Sequence, residues 1–281
     1  MAYSDHIAAC NRHDLRGFRP FVIDDSQVGW VRHALALRLA AFATVFAVDQ
    51  QSVRLAAQLR TPDERTRAVD GVMRTLAAEG VITGWRDEPY PVATRFGGPE
   101  LMRIERAAVP CLGVRAHGVH MNGVVRRADG LHLWIGRRAK DKPVAPGKLD
   151  NMVAGGQPAG LSLMENLIKE CEEEAGIPEA LARQAVSVGA LSYCLEQEDG
   201  LKPDVLFCYD LAVPADFTPR NHDGEITDFQ LMPVAEVARL VRDTDAFKFN
   251  VNLVIIDFLI RHGVIPPEDP EYLDLVKGLR S

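Results

Sequence analysis

Paired cysteines are missing from this sequence. Its five (Cys10, Cys111, Cys171, Cys194, Cys208) are odd in number, scattered and without a C-x-x-C pair. That argues against a secreted disulfide framework and against a cysteine zinc site, leaving reduced and mostly buried thiols. Long apolar runs are missing too. The longest, around Leu35 to Val48, is interrupted by Arg38 and falls short of the ~20 residues that span a bilayer. With no signal-peptide pattern at the start, the expectation is a cytoplasmic protein with no membrane partner. A surplus of positive charge is also absent. The net charge is −7, and it is uneven: residues 1–115 carry 15 Lys+Arg and 13 Asp+Glu, a balance of +2, and the rest carries −9. An acidic second half lacks the basic face that binding to a nucleic-acid backbone needs, and suits a site that collects divalent cations.

What is present is an ordinary globular composition, 47% hydrophobic and 25% charged over 281 residues, long enough for two domains. The expected division is an N-terminal α/β extension over 1–115 and a second domain over 116–281. In the first, the spacing of Val28, Val31, Leu35 and Leu39 after Ser26 predicts a helix. A better-marked helix starts at Thr61, with Pro62 at its first position, Glu64 completing a capping box and Gly80 ending it. Phe42–Val48 and Val92–Phe96 read as strands. Two helices with short strands resemble a winged-helix module in topology alone, and no basic recognition face accompanies them. From about Gly113 the texture becomes short strands: Val119–Val125 and Leu131–Ile135 around an Asp129-Gly130 hairpin signal, then Val153, Val186–Leu191 and Val205–Leu211. Helices are expected at Leu163–Ala175 and Val251–Arg261. The fold class is α/β (α+β), a mixed sheet with helices on both faces.

The informative stretch runs from Gly155 to Ile177, a Gly/Pro loop feeding a helix. Ser162 and Glu165 form a capping box and Gly176 sits at the left-handed C′ position. Inside, Glu170, Glu173 and Glu174 lie at i, i+3 and i+4, so their carboxylates share a face. Like charges there repel, and they sit at the end of the helix where the dipole disfavours anions. Such a local conflict marks a functional site, and a bound divalent cation would remove it; several carboxylates suit Mg²⁺ or Mn²⁺.

This segment resembles the Nudix box, G-x5-E-x7-R-E-U-x-E-E-x-G-U, with U a bulky apolar residue. Gly155, Glu170, Cys171, Glu173, Glu174, Gly176 and Ile177 fall on the pattern; Leu161 replaces its first glutamate and Lys169 its arginine, for which a Glu165–Lys169 pair is a possible substitute. The resemblance implies a Nudix α/β/α sandwich and a Mg²⁺-dependent diphosphate hydrolase. Metal would be held by Glu170, Glu173, Glu174 and the carbonyl of Gly155, and the water's proton taken by Glu174 or by Glu225, a late-loop glutamate in Asp223-Gly-Glu, with Asp228 a weaker candidate. The words Lys148-Leu-Asp-Asn-Met-Val-Ala-Gly-Gly, Gly200-Leu-Lys-Pro-Asp-Val-Leu-Phe-Cys-Tyr-Asp, Gly84-Trp-Arg-Asp-Glu-Pro-Tyr-Pro-Val and Ile104-Glu-Arg-Ala-Ala resemble the Nudix subgroup related to thiamine pyrophosphokinase proteins. That implies thiamine diphosphate or its oxidised forms as substrate. ADP-ribose or another nucleoside diphosphate derivative, and a non-catalytic ligand sensor, stay open as alternatives.

The stretch 126–148 holds seven Lys+Arg against two acids. From it Lys148 and Arg137 or Arg138 are expected to meet the substrate phosphates through charge-assisted hydrogen bonds. His117 and His120 are three apart near a strand, on opposite faces, so a shared metal is not expected. Trp134 and Tyr193 are expected to pack rather than stack on a ligand.

Overall fold

The computed structural model describes residues 2–280. The N-terminal half opens with helix α1 (Tyr3–Cys10), then strands β1 (Phe18–Ile23) and β2 (Ser26–Arg32), helix α2 (His33–Leu39), and strands β3 (Phe46–Val48) and β4 (Val53–Leu55). The four strands form one sheet in the order β2-β1-β4-β3. Helix α3 (Pro62–Ala78) follows, capped as its sequence predicts: the Thr61 hydroxyl accepts from Glu64 N–H and the Glu64 carboxylate accepts from Thr61 N–H. Its face of Val69, Val72, Met73 and Leu76 packs with Phe21, Ile23 and Phe46 of the sheet. It also covers the ribbon of β5 (Pro89–Val92) and β6 (Met102–Glu105), after which the short helix α4 (Val109–Leu112) leads into the second half.

Two expectations fail here. Residues 26–32 are strand, and only 33–39 are helix. Val28 and Val31 are both buried because β2 is covered on both faces; a Cβ on Gly29 would lie 2.3 Å from the Leu112 carbonyl oxygen. Burial on both sides erases the two-residue alternation, and what survives imitates a helical spacing. The strands expected at 42–48 and 92–96 shrink to Phe46–Val48 and to a ribbon ending at Val92.

The second half is built on β7 (His117–Arg127), β8 (Gly130–Arg138), β9 (Leu149–Asp150) and β10 (Val153–Gly156), then helices α5 (Leu163–Ala175) and α6 (Glu179–Ala182). Strands β11 (Val186–Gln197), β12 (Gly200–Ala212) and β13 (Ile226–Pro233) and helices α7 (Val234–Asp243), α8 (Val251–Arg261) and α9 (Tyr272–Gly278) complete it. The sheet order is β11-β12-β7-β8-β13, with β10 added beside the first part of β7 and β9 beside β8. Only β7 and β12 run parallel; the other pairs are antiparallel, so the sheet is mixed.

Strand alternation sends Val119 and Met121 of β7 and Tyr209 and Leu211 of β12 to one face, where Leu167, Cys171 and Ala175 of α5 cover them. Leu206 and Cys208 of β12 and Leu133 and Ile135 of β8 point the other way, into α7 and α8. This is the expected α/β/α sandwich. Truncating Leu167, wholly buried under α5, would cost about 2–5 kcal/mol. The first helix joins this second core: Tyr3, Ile7 and Cys10 pack with α7, α8 and α9. The Tyr3 hydroxyl donates to Ala238 O at 3.1 Å, and Cys194 N–H donates to the Asn11 side chain at 3.0 Å.

Candidate functional site

Helix α5 carries its acidic residues to a fixed place because both ends are tied. Ser162 and Glu165 exchange the two bonds of a capping box. At the other end Gly176 is left-handed (φ 61°), and Ile177 N–H returns to Cys171 O at 2.9 Å. The remaining free carbonyls recruit the loop before β13. Arg220 N–H donates to Ala175 O, His222 N–H to Glu173 O, each at 2.9 Å, and the Asn221 amide to Glu174 O at 3.3 Å. Asn221 and Glu225 N–H both bond Asp223 Oδ1. The helix end thus docks the loop that bears Asp223 and Glu225.

The result is a trio. Carboxylate oxygens of Glu174, Asp223 and Glu225 all lie within 4.8 Å of one another. Glu174 is buried, with Oε2 accepting from Ala154 N–H at 2.8 Å. Burial pushes its pKa well up; the Ala154 bond opposes, while the charges of Glu170, Asp150 and Glu225 add to the rise. Burial also acts upward on Glu225, but the Lys142 ammonium paired with it, aided by Arg86 and Arg106, holds it below the ordinary range. Three hard oxygen donors in one spot, one of them destabilised by its own burial, fit Mg²⁺ or Mn²⁺.

Glu170, Glu173 and Glu174 all line one cleft with Asp223 and Glu225, but of the three only Glu174 belongs to the close trio. Lys169 bridges Glu170 at 3.2 Å and Glu173 at 2.7 Å, and Glu165 is spent on the cap instead of pairing with Lys169. Glu170 lies over the glycine loop, its pKa raised by burial against the pull of Lys169. A Cβ on Gly155 would sit 2.2 Å from its carboxyl carbon, so only glycine admits this approach. The Gly155 carbonyl oxygen lies on the side of Gly118. Where Leu161 replaces the motif's glutamate, Gln157 closes the loop instead, its amide donating to Leu161 O at 2.7 Å, and Asn166 donates to Gly156 O at 2.9 Å.

The cations expected on the phosphates are placed differently. Lys148 turns to Asp245 at 3.0 Å, and Arg137 donates to Gly147 O; neither lines the cleft. Arg138 does line it, but is committed to Asp150 at 2.8 Å and to the Val144 carbonyl, so it shapes the loop carrying Lys142. Asp228 accepts from Gln230 and is outside the trio. The cations that face the acids are Lys169 on α5 itself, Lys142, and Arg86 and Arg106 from the N-terminal half, Arg106 being also paired with Glu88 at 2.8 Å. The signal for the two arginines lay in Gly84-Trp-Arg-Asp-Glu-Pro-Tyr and Ile104-Glu-Arg-Ala-Ala; as words of a resemblance, these segments did not reveal which side chain reaches the site.

The cleft continues into a cavity of about 250 Å³. The two share Arg86, Arg106, Ala154, Gly155, Gly156 and Glu225 as walls. Beyond them the cavity is lined by Tyr90, Leu206, Phe249 and Tyr193. The Tyr193 hydroxyl donates to Asp204 at 2.9 Å and receives the Asn250 amide at 3.5 Å. Burial pushes Asp204 up to about 6, opposed by Tyr193, Lys202 and Ala116 N–H, with Asp199 adding to the rise. His120, bonded to Asn151 at 2.8 Å, is held down at about 4, first by burial and then by Lys248. His117 packs on Phe96 and Phe207 instead, and the two histidines share no metal cluster among the described residues.

Comparison with known proteins gives this geometry its context. Residues 116–252 match the family model "NUDIX domain", and residues 2–116 match "Domain of unknown function (DUF4743)". Nudix hydrolase 24, chloroplastic, of Arabidopsis thaliana is 47% identical over 99% of this chain and 78% of its own length. Nudix hydrolase 20, chloroplastic, of the same plant is 46% identical with the same coverage. An uncharacterized protein of Saccharomyces cerevisiae, YJR142W, is 32% identical over 84% of this chain and 73% of its own. The plant names overturn the expectation of a cytoplasmic protein. Among the described residues no helix is long and apolar enough to cross a membrane. With identity this high across nearly its whole length, the chain belongs to the Nudix hydrolase family.

Proposed function

We propose that this Nudix hydrolase cleaves the diphosphate of thiamine, or of its oxidised derivatives, to the monophosphate and phosphate, with Mg²⁺ as the metal and Mn²⁺ able to replace it. The observation that carries the reading is one continuous cleft. It joins the Glu174–Asp223–Glu225 trio, through a cationic passage of Lys142, Arg86 and Arg106, to a partly aromatic cavity. A diphosphate with an organic ring needs that succession of chemistries. The thiamine assignment rests on the family-like words around the box, two of which supply Arg86, Tyr90 and Arg106 to this cleft.

Glu174, Asp223 and Glu225 would hold the cation, with Glu170 and Glu173 as further carboxylates on the same helix. When bound, a divalent cation supplies neutralisation of the charge that builds on the phosphoryl oxygens. The side chains do the remaining work. Arg106 and Lys142 bind the phosphoryl oxygens and fix the phosphorus for in-line attack by water. Glu225, kept ionised by Lys142, accepts the water's proton. The bridging oxygen leaves with the thiamine monophosphate.

The chain is read as an N-terminal unit over 1–115 and a catalytic unit over 116–281, the first forming a wall of the second's site. Turnover of thiamine diphosphate, its oxidised forms, ADP-ribose and nucleoside triphosphates, followed by product chromatography with Mg²⁺, tests the reading. The thiamine forms should give the highest kcat/KM. ADP-ribose at the top would sink the thiamine assignment, and no turnover of any of them would sink the diphosphate reading.

A further inference from the structure

The loop that carries Lys142 is held less by its own backbone than by one buried side chain. It runs from 139 to 148, between β8 and β9. The backbone bonds within it are long. Lys142 N–H to Ala139 O, Gly147 N–H to Ala139 O and Lys148 N–H to Ala145 O each measure 3.4 Å, beyond the roughly 2.7–3.2 Å of an ordinary bond. The shorter contacts come from Arg138, the last residue of β8. Its Nε donates to Val144 O at 3.1 Å and to Ala145 O at 3.2 Å, and its Nη2 to Val144 O at 2.8 Å. Those two carbonyls flank a costly turn: Ala145 has φ 49°, in the left-handed region that disfavours a Cβ. The other end of the guanidinium is fixed. Its Nη1 donates to Asp150 Oδ2 at 2.8 Å, and Asp150 is aimed in turn by Asn151 N–H, which donates to Oδ1 at 2.9 Å. Arg138 is 8% exposed and Asp150 2%, so both are closed in by their surroundings. A buried ion pair gains little net stability over apolar side chains of its size; what this one adds is direction.

We propose that Asp150 and Arg138 are positioning residues for phosphate binding: Asp150 orients the guanidinium, the guanidinium holds the turn at Ala145, and the turn presents the Lys142 ammonium to the cleft. The proposal deepens, and rests on, the reading of Lys142 as a phosphate-binding cation. Asp150 lines neither the cleft nor the cavity, so it reaches a ligand only through other residues. Lys142 lies three residues before the turn; its side chain is 14% exposed and pairs with Glu225. At the start of the loop Ala139 N–H donates to Glu225 O at 2.9 Å, a tie that does not depend on Arg138. Releasing the turn therefore leaves the loop anchored at its base and frees the part that bears Lys142. A cation held in place spends no binding energy on being ordered, and a released one does.

The test is calorimetry of inorganic diphosphate binding to the full-length protein without added metal, so that binding is read apart from turnover. Lys142→Met should weaken binding by about 10–100-fold, the range of a hydrogen bond between charged groups. Asp150→Asn should weaken it by about 3–10-fold, the cost of ordering one long side chain. That change also strips the carboxylate from Arg138 and Lys248, so Arg138→Lys accompanies it. The lysine keeps a positive charge beside Asp150 but cannot span to the Val144 and Ala145 carbonyls, and the same weakening is expected. Adding Ala145→Gly to Arg138→Lys should return most of the loss, because glycine takes a left-handed turn freely; a general loosening of the fold would not be repaired this way. In a Lys142→Met background, Asp150→Asn and Arg138→Lys should cost nothing more. A loss that persists there means that Arg138 meets the ligand itself, and overturns the positioning role. Unchanged binding in both Asp150→Asn and Arg138→Lys, with Lys142→Met weakened, overturns it too and leaves the phosphate role of Lys142 standing. Unchanged binding in Lys142→Met, or none in the unaltered protein, removes that phosphate role and the positioning role with it.

Discussion

Replacing Gly156 by alanine isolates the contact that fastens the N-terminal half to the catalytic loop. The new Cβ would lie 1.6 Å from the Tyr90 hydroxyl oxygen and 2.9 Å from its ring carbon Cζ. Ordinary contact begins at 3.4 Å, so the hydroxyl must retreat by about 2 Å, a displacement of the overpacking kind that costs about 1–3 kcal/mol. Tyr90 cannot yield cheaply, because it is only 5% exposed and packs in the core of α3, β5 and β6. Gly156 itself adds no backbone penalty, since its φ is not positive. Urea denaturation should therefore place Gly156→Ala about 1–3 kcal/mol below the unaltered protein. Tyr90→Phe in the same chain removes the nearest atom and should return about 1 kcal/mol of that, the coupling expected of residues in contact. Only part returns, because Cζ is still too close. Gly156→Ala within about 0.5 kcal/mol of the parent, or strict additivity with Tyr90→Phe, would refute the close approach.

Glu225→Gln should lower kcat by about 10²–10⁴ with the fold intact, the range for losing a general base; circular dichroism and steady-state kinetics decide it, and parental turnover would remove the role. Arg106→Ala should raise KM by about 10–100-fold while moving kcat less, as loss of a charge-assisted phosphate bond does; a fall in kcat with unchanged KM would contradict that placement. Acid should expose His120. Its folded pKa of about 4 lies below the ordinary 6.5, so its contribution to stability is complete above pH 6.5 and drains as pH falls toward 4. Between pH 6.5 and 5 this is roughly 2 kcal/mol, and His120→Gln should show a shallower loss in urea over the same interval. Identical pH slopes for the two proteins would show that His120 is not buried in its neutral form.

Helix α5 was readable from Ser162 to Gly176 because its signals are local: a capping box and a C′ glycine. The strands at 119–125 and 205–211 were legible as short apolar runs between turns, and the sandwich around them was what the resemblance implied. What the residue order concealed was assembly over distance. Asp223 was visible only as part of a short word, and it joins Glu174 because free carbonyls at the end of α5 attract its loop. Lys148 is the closer basic residue in sequence to the box, yet Asp245 captures it, while Arg106 arrives from fifty residues upstream of Gly156. Charge counts along a chain do not say which ion pairs form first. The strand at 26–32 was misread because Leu112 and Gly113 press on Gly29, and a lone glycine in an apolar run was its one clue.

The docking of α1 onto α7, α8 and α9 gives the wall that carries Arg86, Tyr90 and Arg106 two moorings. The chain leaves α1 on one side and re-enters the sheet through β7 on the other. A flap hung from a single hinge can swing clear of a site; a span fixed at both ends can only bow, unless one mooring is cast off. The loop bearing Lys142, between β8 and β9, is tied as well, by Arg138 on the Val144 and Ala145 carbonyls and by Lys142 on Glu225, so entry to the cavity falls to side-chain motions and to bowing of the wall.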